Sequence, residues 1–377
     1  MHEAVSRFIA NSSTGPASDY EFEQLALEIF RHQYEGRPMY RRLCQARGVS
    51  PETVHSWTAI PAVPADVFKE THSPSTPEAA PDNLNGPHVF LSSGTSAGTD
   101  RRSRHELSTL STYKLSALTH FRRMVLPDDP GRFSTLVLGP TAETHPQSSL
   151  GQMFTWCIEE FASETDLQAF DSDGNVDTDA ALAWLEDQAA ASEPILVLAI
   201  SSGLTAVIDA LRTRGSRLRL PADSRIVDTG GRKGGRTLSA KGLLKAAWNF
   251  LHVPAYASVN EYGMTEMLSQ FYDDALLRRH EGDLGPRAKV GPAWTRTVVV
   301  DPATLEPVPV GETGILRHVD LANWETFAAL QTLDLGRVSG RGFEILGRAA
   351  GAESRGCSHL IAAVRQASIG SPEASSP

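Results

Sequence analysis

Apolar residues along the chain fall into two patterns, short continuous runs and stripes at helical spacing. The runs FSTLVLGP, ILVLAIS, RIVDT and AYASVNE predict strands, and helical stripes lie between them. One stripe predicts a helix capped by Ser148 or Ser149, and its members are Leu150, Met153, Phe154, Cys157, Ile158 and Phe161. Because strand and helix alternate, we expect an α/β fold whose sheet is largely parallel.

The pattern changes near residue 290, where short apolar runs are separated only by Pro/Gly turns. TRTVVVDP, GILRHVD, ALQTLDLG and FEILG predict an antiparallel sheet or barrel packed on the first unit. We therefore expect an α/β core over 20–285 and a β-rich subregion of the same body over 286–362. NSSTGPAS predicts a mobile N-terminus over 1–19, and QASIGSPEASSP predicts a disordered tail over 363–377.

Composition and charge exclude several classes of protein. A chain of 377 residues with 41% hydrophobic content is neither disordered nor fibrous. The formal net charge of -10 argues against nucleic acid or a membrane as a partner, and no export signal or membrane span is recognisable, so we expect a cytoplasmic protein. Three scattered cysteines do not predict a disulfide framework or a zinc site.

A Ser/Gly-rich loop, SSGTSAG at 92–98, follows the predicted strand HVFL and precedes a predicted helix that includes Leu107 and Leu110. Backbone N–H groups of such a loop can converge on a phosphate, and Arg101, Arg102 and Arg104 add positive charge. The spacing is not that of a Walker A loop. An ordinary turn with a solvated charge run is the alternative interpretation.

Two further motifs follow predicted strands. GGRKGG at 230–235 places glycines and cations where open α/β sheets bind ligands. NEYGMTE at 260–266 combines an aromatic ring that can stack on a base with a carboxylate that can hold Mg²⁺. His318 and Asp320 in RHVDLAN could position a substrate, but a structural role on a half-buried strand is the favoured interpretation.

SSGTSAG, YGMTE, GETG at 311–314 and LDLGR at 333–337 occur in the order found in the AMP-forming adenylating enzymes. Within that superfamily the chain most resembles the LuxE-type acyl-protein synthetases, together with related enzymes that activate phenazine-type acids. IPAVPADVFK, LPADSRIVDTGGRKGG, VDLANWETF and EILGRAAGAESRGCS carry this resemblance over about residues 20–362. It implies the large N-terminal-type domain of these enzymes, with mostly parallel sheet layers, helices and a β-rich subregion.

The resemblance also implies residue roles, with ATP and Mg²⁺ as cofactors. Thr265 would contact phosphate, Glu266 would hold magnesium, and Tyr262, followed by Gly263, would stack near adenine. Gly230 and Gly231 would line the adenine pocket, while Asp334 would bind the ribose beside Arg348. The remaining residues would surround the ATP phosphates: Ser92, Ser93, Gly94, Thr95, Ser96, Gly98 and Arg101.

The chain departs from the superfamily pattern at two points. Arg101 stands near the position where a lysine usually follows the phosphate loop. Few residues follow Arg348, so we expect the usual C-terminal lid domain, with its catalytic lysine, to be lacking. Lys233 is our candidate for the cation that assists adenylation.

Cys357 in ESRGCSHL occupies a position that resembles the acylated cysteine of LuxE-type synthetases, and Arg355 would favour its thiolate. The alternative, given equal weight, is that Cys357 is simply a small hydrophobic residue that is buried. The expected function is ATP-dependent activation of a fatty or aromatic carboxylic acid, followed by acyl transfer to a thiol and then to a partner reductase. The alternatives are a ligase that uses coenzyme A or a carrier protein, and a noncatalytic nucleotide-binding subunit of a reductase complex.

Overall fold

The computed structural model describes residues 1–12, 18–69, 86–92, 102–163, 166–230 and 238–349. Its α-helices, in chain order, are α1 (His2–Asn11), α2 (Asp19–Gly36), α3 (Pro38–Ala46), α4 (Ser111–Val125), α5 (Ser149–Phe161), α6 (Thr178–Ala190), α7 (Ser201–Arg214), α8 (Ala240–Ala246) and α9 (Ala275–His280). Helix α8 continues into a π-helical turn, Ala247–Leu251, and short 3₁₀ turns cover Trp57–Ala59, Ala65–Lys69, Ala255–Ala257 and Leu321–Asn323.

The strands are β1 (Val63–Pro64), β2 (His88–Leu91), β3 (Arg104–Leu107), β4 (Ser134–Leu138), β5 (Leu167–Gln168), β6 (Ile195–Ile200), β7 (Arg225–Thr229), β8 (Ser258–Tyr262), β9 (Phe271–Asp273), β10 (Lys289–Val290), β11 (Thr295–Val300), β12 (Gly314–Asp320), β13 (Ala329–Ser339) and β14 (Gly342–Arg348). Each of the four apolar runs of the α/β part contains one of these strands. The predicted helix at 149–161 is also present, and the Ser148 hydroxyl accepts a hydrogen bond from Gly151 N.

One large mixed sheet organises the molecule. Eleven of its 12 strands run in the order β11-β12-β13-β14-β10-β9-β8-β7-β6-β4-β5, and the twelfth, β1, pairs in parallel with β13. Strands β5, β4, β6, β7 and β8 are mutually parallel. Each neighbouring pair in the rest of the sheet, from β8 through β9, β10, β14, β13 and β12 to β11, is antiparallel. The α/β class and the parallel character of the first unit are therefore confirmed, and the β-rich part extends the same sheet.

Helices cover both faces of the parallel strands because alternate side chains of each strand point to opposite faces. Val227 and Val259 pack in the larger core with residues of α1 to α5. Ile226 and Val197 pack in a second core with residues of α6, α7 and α8. The parallel part of the sheet therefore lies between two helical layers.

Two segments differ from the sequence-based expectation. Residues 2–11, expected to be mobile, form α1, in which Val5 and Ile9 are fully buried. Leu107, expected on a helix, lies on β3, which forms an antiparallel pair with β2. Arg104 and Glu106 alternate with buried His105 and Leu107, and this period of two is the physical reason for a strand. The phosphate-type loop therefore connects two strands of a hairpin.

Within the described ranges, none of the helices combines the length and the apolar character that crossing a bilayer requires.

Candidate active site

The carboxyl ends of the parallel strands β6, β7 and β8 lie side by side along one edge of the sheet. Ser201, Gly230 and Gly263 directly follow these three strands. Open α/β sheets bind their ligands at such an edge. We therefore take this edge as the candidate active site.

Gly230 leaves β7 with a positive φ of 90°, a left-handed conformation that favours glycine. The Ser201 hydroxyl lies 3.0 Å from the Gly230 carbonyl oxygen and 2.9 Å from Asp228 Oδ2. These contacts tie the start of α7 to the point where the GGRKGG motif begins.

Tyr262 at the end of β8 meets the β13–β14 hairpin. Its hydroxyl donates a 2.8 Å hydrogen bond to Asp334 Oδ2. Arg348 is the β14 partner of Asp334, and its Nε lies 4.0 Å from Asp334 Oδ1. The structure thus brings the YGMTE and LDLGR motifs, which are far apart in sequence, into direct contact.

Electrostatic interactions join Glu266 to the same group. Burial raises the pKa of Tyr262 well above its usual value of 10, and the negative charges of Asp334 and Glu266 add to this shift. The Arg348 guanidinium opposes the shift. Tyr262, Glu266, Asp334 and Arg348 therefore share one electrostatic environment.

Glu266 is 6% exposed, and burial raises the pKa of its carboxyl above the usual value of 4.5. The Ser103 hydroxyl and the Lys69 ammonium lower this pKa, and Asp66 raises it. Ser103 lies just beyond the phosphate-type loop, so the structure places Glu266 beside the returning strand of that loop. The Glu266 carboxyl is thus held in a position where a cation or an added positive charge would favour its ionised form.

Buried polar side chains fix the loop that carries Thr265 and Glu266. His105 Nδ1 donates to the Thr265 carbonyl oxygen at 2.7 Å, and Asn323 Nδ2 donates to the Glu266 carbonyl oxygen at 2.9 Å. Burial lowers the pKa of His105 to about 4, which keeps its ring neutral near pH 7. The loop is therefore attached to both β3 and the turn after β12.

Asp320 fixes the far end of the same loop. Its carboxylate accepts hydrogen bonds from Leu268 N at 3.0 Å and from the Ser269 hydroxyl at 2.7 Å. Burial raises the pKa of Asp320 to about 6, although these hydrogen bonds lower it. His318 on the same strand is fully buried against Phe271, with ring centroids 4.6 Å apart. Both residues make structural contacts, in agreement with the favoured interpretation.

The two ends of the phosphate-type loop are tied together. Ser92 N donates to the Ser103 carbonyl oxygen, and Ser103 N donates to the Ser92 hydroxyl, both at 2.9 Å. The rest of the loop lies outside the described residues, as do Gly231, Lys233 and Cys357. The predicted site residues for which the structure therefore gives no position are Ser93, Gly94, Thr95, Ser96, Gly98, Arg101, Gly231, Lys233 and Cys357.

Two polar groups on β7 and β8 were not singled out from the sequence. On one face, Asp228, Asn260, Asp273 and Lys289 form a row across β7 to β10, in register. On the other face, Thr229 donates a hydrogen bond to Glu261 Oε2. Charged residues inside the apolar runs RIVDT and AYASVNE were the available signal, because charges are rarely buried without a partner or a function.

The comparison with family models decides the assignment. The model described as "Acyl-protein synthetase, LuxE" matches residues 16–364. The chain belongs to the LuxE acyl-protein synthetase family. It is therefore a member of an enzyme family of adenylate-forming acyl ligases, as the ordered motifs of the sequence indicate.

Solved structures show the same fold at low sequence identity. A 2-hydroxyisobutyryl-CoA ligase in an open conformation, in complex with 2-HIB-AMP and CoA, is 15% identical with a TM-score of 0.60, over 88% of this chain and 74% of that chain. The same ligase in the postadenylation state is also 15% identical with a TM-score of 0.62, over 88% and 67%. A search of the curated proteins gave no match.

Proposed function

We propose that this LuxE-family protein uses ATP to convert a carboxylic acid into an acyl-adenylate and pyrophosphate, and then passes the acyl group to a thiol. In the first step a carboxylate oxygen attacks the α-phosphorus, and the bond to the leaving pyrophosphate breaks. In the second step a thiolate attacks the acyl carbon, and AMP leaves. Each step is a balanced group transfer without a redox change.

The contact of Tyr262 with Asp334 is the observation that carries this proposal. It brings an aromatic ring and a carboxylate from two separate motifs to the ligand-binding edge of the sheet. The ring offers a surface for adenine, and Asp334 Oδ1 faces Arg348 rather than the tyrosine, so this oxygen is placed to accept a ribose hydroxyl. Gly230, at the end of the neighbouring strand, would border the adenine.

The chemistry of Glu266 fits a magnesium ion. Its carboxylate offers the oxygen ligand that Mg²⁺ prefers, and a bound cation would favour the ionised form that burial disfavours. A bound ion would supply charge neutralisation for the phosphates. Thr265, adjacent in sequence, would contact phosphate, while His105 and Asn323 hold the backbone of both residues in place.

The remaining parts of the proposal concern residues outside the described ranges. N–H groups of 93–98, together with Arg101 and Lys233, would stabilise charge on the α-phosphate as pyrophosphate leaves. Cys357 would accept the acyl group as a thioester and deliver it to a partner reductase. Their support is the family assignment and the matching motifs.

Exchange of labelled pyrophosphate into ATP tests the first step. With a panel of fatty and aromatic acids we expect acid-dependent exchange, and we expect Glu266→Ala to abolish it because the phosphate charge loses its counterion. Glu159→Gln, which alters an exposed carboxylate on α5, is the matched control and should retain exchange. Nucleotide binding without exchange under any acid would instead identify a noncatalytic subunit.

Self-acylation tests the second step. Cys357→Ser should retain pyrophosphate exchange but lose a hydroxylamine-labile acyl label on the protein. Persistence of that label in Cys357→Ser would remove the cysteine from the mechanism. Acyl transfer to added coenzyme A in the absence of a protein label would favour the CoA-ligase alternative.

A further inference from the structure

Thr229 and Glu261 form a small polar pair at the ligand-binding edge. They are register partners at the ends of β7 and β8. The Glu261 side chain extends toward Gly263, at the carboxyl end of β8. A Cβ placed on Gly263 would collide with Glu261 Oε1, which shows how close the two residues lie. This carboxyl is therefore directed past Tyr262 to the edge where the candidate active site lies.

The surroundings of this carboxyl are apolar and aromatic. Burial raises the pKa values of Tyr113 on α4 and Tyr272 on β9, and the charge of Glu261 contributes to both shifts. The Tyr113 hydroxyl donates to the carbonyl oxygen of Ser149, at the start of α5. The Glu261 carboxyl thus faces the layer of α4 and α5, on the side of the sheet that holds the larger core.

The charge of Glu261 is poorly compensated. Among the described residues, Thr229 is the one hydrogen-bond donor to its carboxylate, which has room for about four. No described cation forms an ion pair with it, and Lys289 acts only at longer range. Burial accordingly raises the pKa of Glu261 to about 7. A hydrogen-bond donor from a ligand would satisfy this carboxylate and recover free energy that burial costs.

We propose that Glu261 selects the acid to be activated, and that this acid carries a hydroxyl or amino group as a hydrogen-bond donor on its body. The inference rests on the proposed function and specifies its substrate class. The donor binds to Glu261 while the carboxylate of the acid reaches the α-phosphate. An unsubstituted fatty acid offers Glu261 no donor and leaves its carboxylate with the single Thr229 hydrogen bond in apolar and aromatic surroundings, and such an acid is a poor substrate for this reason.

Pyrophosphate exchange with matched acids tests this specificity. The probes are octanoate, 8-hydroxyoctanoate and 8-aminooctanoate, and benzoate with its 4-hydroxy and 4-amino derivatives. In the unmodified protein we expect kcat/KM for at least one donor-bearing acid to exceed that of its unsubstituted partner by about tenfold or more. The hydroxy and amino arms identify which donor is used.

Two variants and one control attribute the preference to Glu261. Glu261→Leu should abolish the preference or reverse it, and Glu261→Gln, which keeps the shape, should reduce it. Asp228→Asn changes a buried carboxyl on the opposite face of the adjacent strand and should keep the ratio between matched acids. In the unmodified protein the preference should also strengthen as the pH rises through about 7, because the ionised carboxylate is the better acceptor.

The outcomes separate the two proposals. Exchange with every acid at equal efficiency, or a preference that survives in both Glu261 variants, overturns the role of Glu261 and leaves adenylation standing. Absence of exchange with all six acids and with the wider panel overturns adenylation and this inference with it.

Discussion

The buried charged residues on the two faces of β7 and β8 differ in how many polar or charged partners they have. On the face toward α7 and α8, Asp228 accepts from Asn260 Nδ2 at 2.9 Å, and Lys289 Nζ lies 2.6 Å from Asn260 Oδ1 and 3.2 Å from Asp273 Oδ1. On the face toward α4 and α5, the Glu261 carboxyl has the Thr229 hydroxyl as its described partner.

This difference separates structural charge from functional charge. In the row of Asp228, Asn260, Asp273 and Lys289, each charged group has an opposite charge or an amide beside it, and Arg287 adds a 2.6 Å ion pair to Asp273. A compensated row of this kind connects four strands and requires no ligand. A buried carboxyl with one neutral donor still has free acceptor positions, and a ligand that donates a hydrogen bond to it can gain binding free energy.

The largest expected effect comes from breaking the compensated row. Lys289→Met should lower the free energy of unfolding by about 3–5 kcal/mol, because Asp273 and Asn260 lose a buried cation. Urea denaturation measures this change. Lys114→Met, at a partly exposed pair with Glu159, is the control and should cost about 1 kcal/mol or less. Equal costs in the two variants would show that the row contributes no special stability.

A pH dependence of intermediate size should mark the uncompensated face. The folded-state pKa of Glu261 is about 7 and its usual value is 4.5, so its contribution to stability is present below about 4.5 and is lost as the pH rises through 7. Replacing Glu261 with Gln removes this loss. We expect the free energy of unfolding of Glu261→Gln, relative to the unmodified protein, to increase by about 2 kcal/mol between pH 5 and pH 8.

Denaturant titrations at the two pH values provide this measurement. Burial lowers the pKa values of His105, His120 and His318. These three residues therefore destabilise the folded protein as the pH falls below about 6.5, which is the opposite direction to the effect of Glu261. Their contribution is common to both proteins and cancels in the difference. A stability difference that is constant with pH would contradict the raised pKa of Glu261.

A smaller effect should come from the space between Glu261 and Gly263. Gly263→Ala should cost about 1–2 kcal/mol, because its Cβ collides with Glu261 Oε1 and the carboxyl must move. In a Glu261→Ala background the same change should cost much less. Thermal or urea unfolding of the four proteins gives the coupling free energy, and additive effects would show that the two residues do not touch.

The sequence predicted those parts of the fold that follow from local periodicity. The strands RIVDT and ILVLAIS agree with the structure because both of their faces are buried, which gives a continuous apolar run. The helix from 149 to 161 agrees because its apolar residues recur at helical spacing. Strand β3 was not predicted, since four residues that alternate beside a charged run carry too little signal. Helix α1 was not predicted either, because its few apolar residues are recognised only through their packing on the rest of the protein.

The candidate site shows the same limit. Tyr262, Glu266 and Asp334 belong to motifs, and recognition of these motifs predicted that the three residues lie at one site, where the structure brings them together. His105, Asn323 and Asp320 act by holding a loop through contacts between distant segments, and no spacing in the chain indicates which carbonyl or N–H they will reach. Glu261 lies within a motif, but the role that we propose for it depends on how few of the described residues contact its carboxylate.

The pairing of Val63 with Leu330 joins an early segment of the chain to a late one. During synthesis, β13 becomes available only after residues 329–339 have been made, so β1 stays without its strand partner until then, whereas β4, β6, β7 and β8 can already pair with one another. We therefore expect this enzyme to fold late and slowly, and to depend on chaperones when it is overproduced.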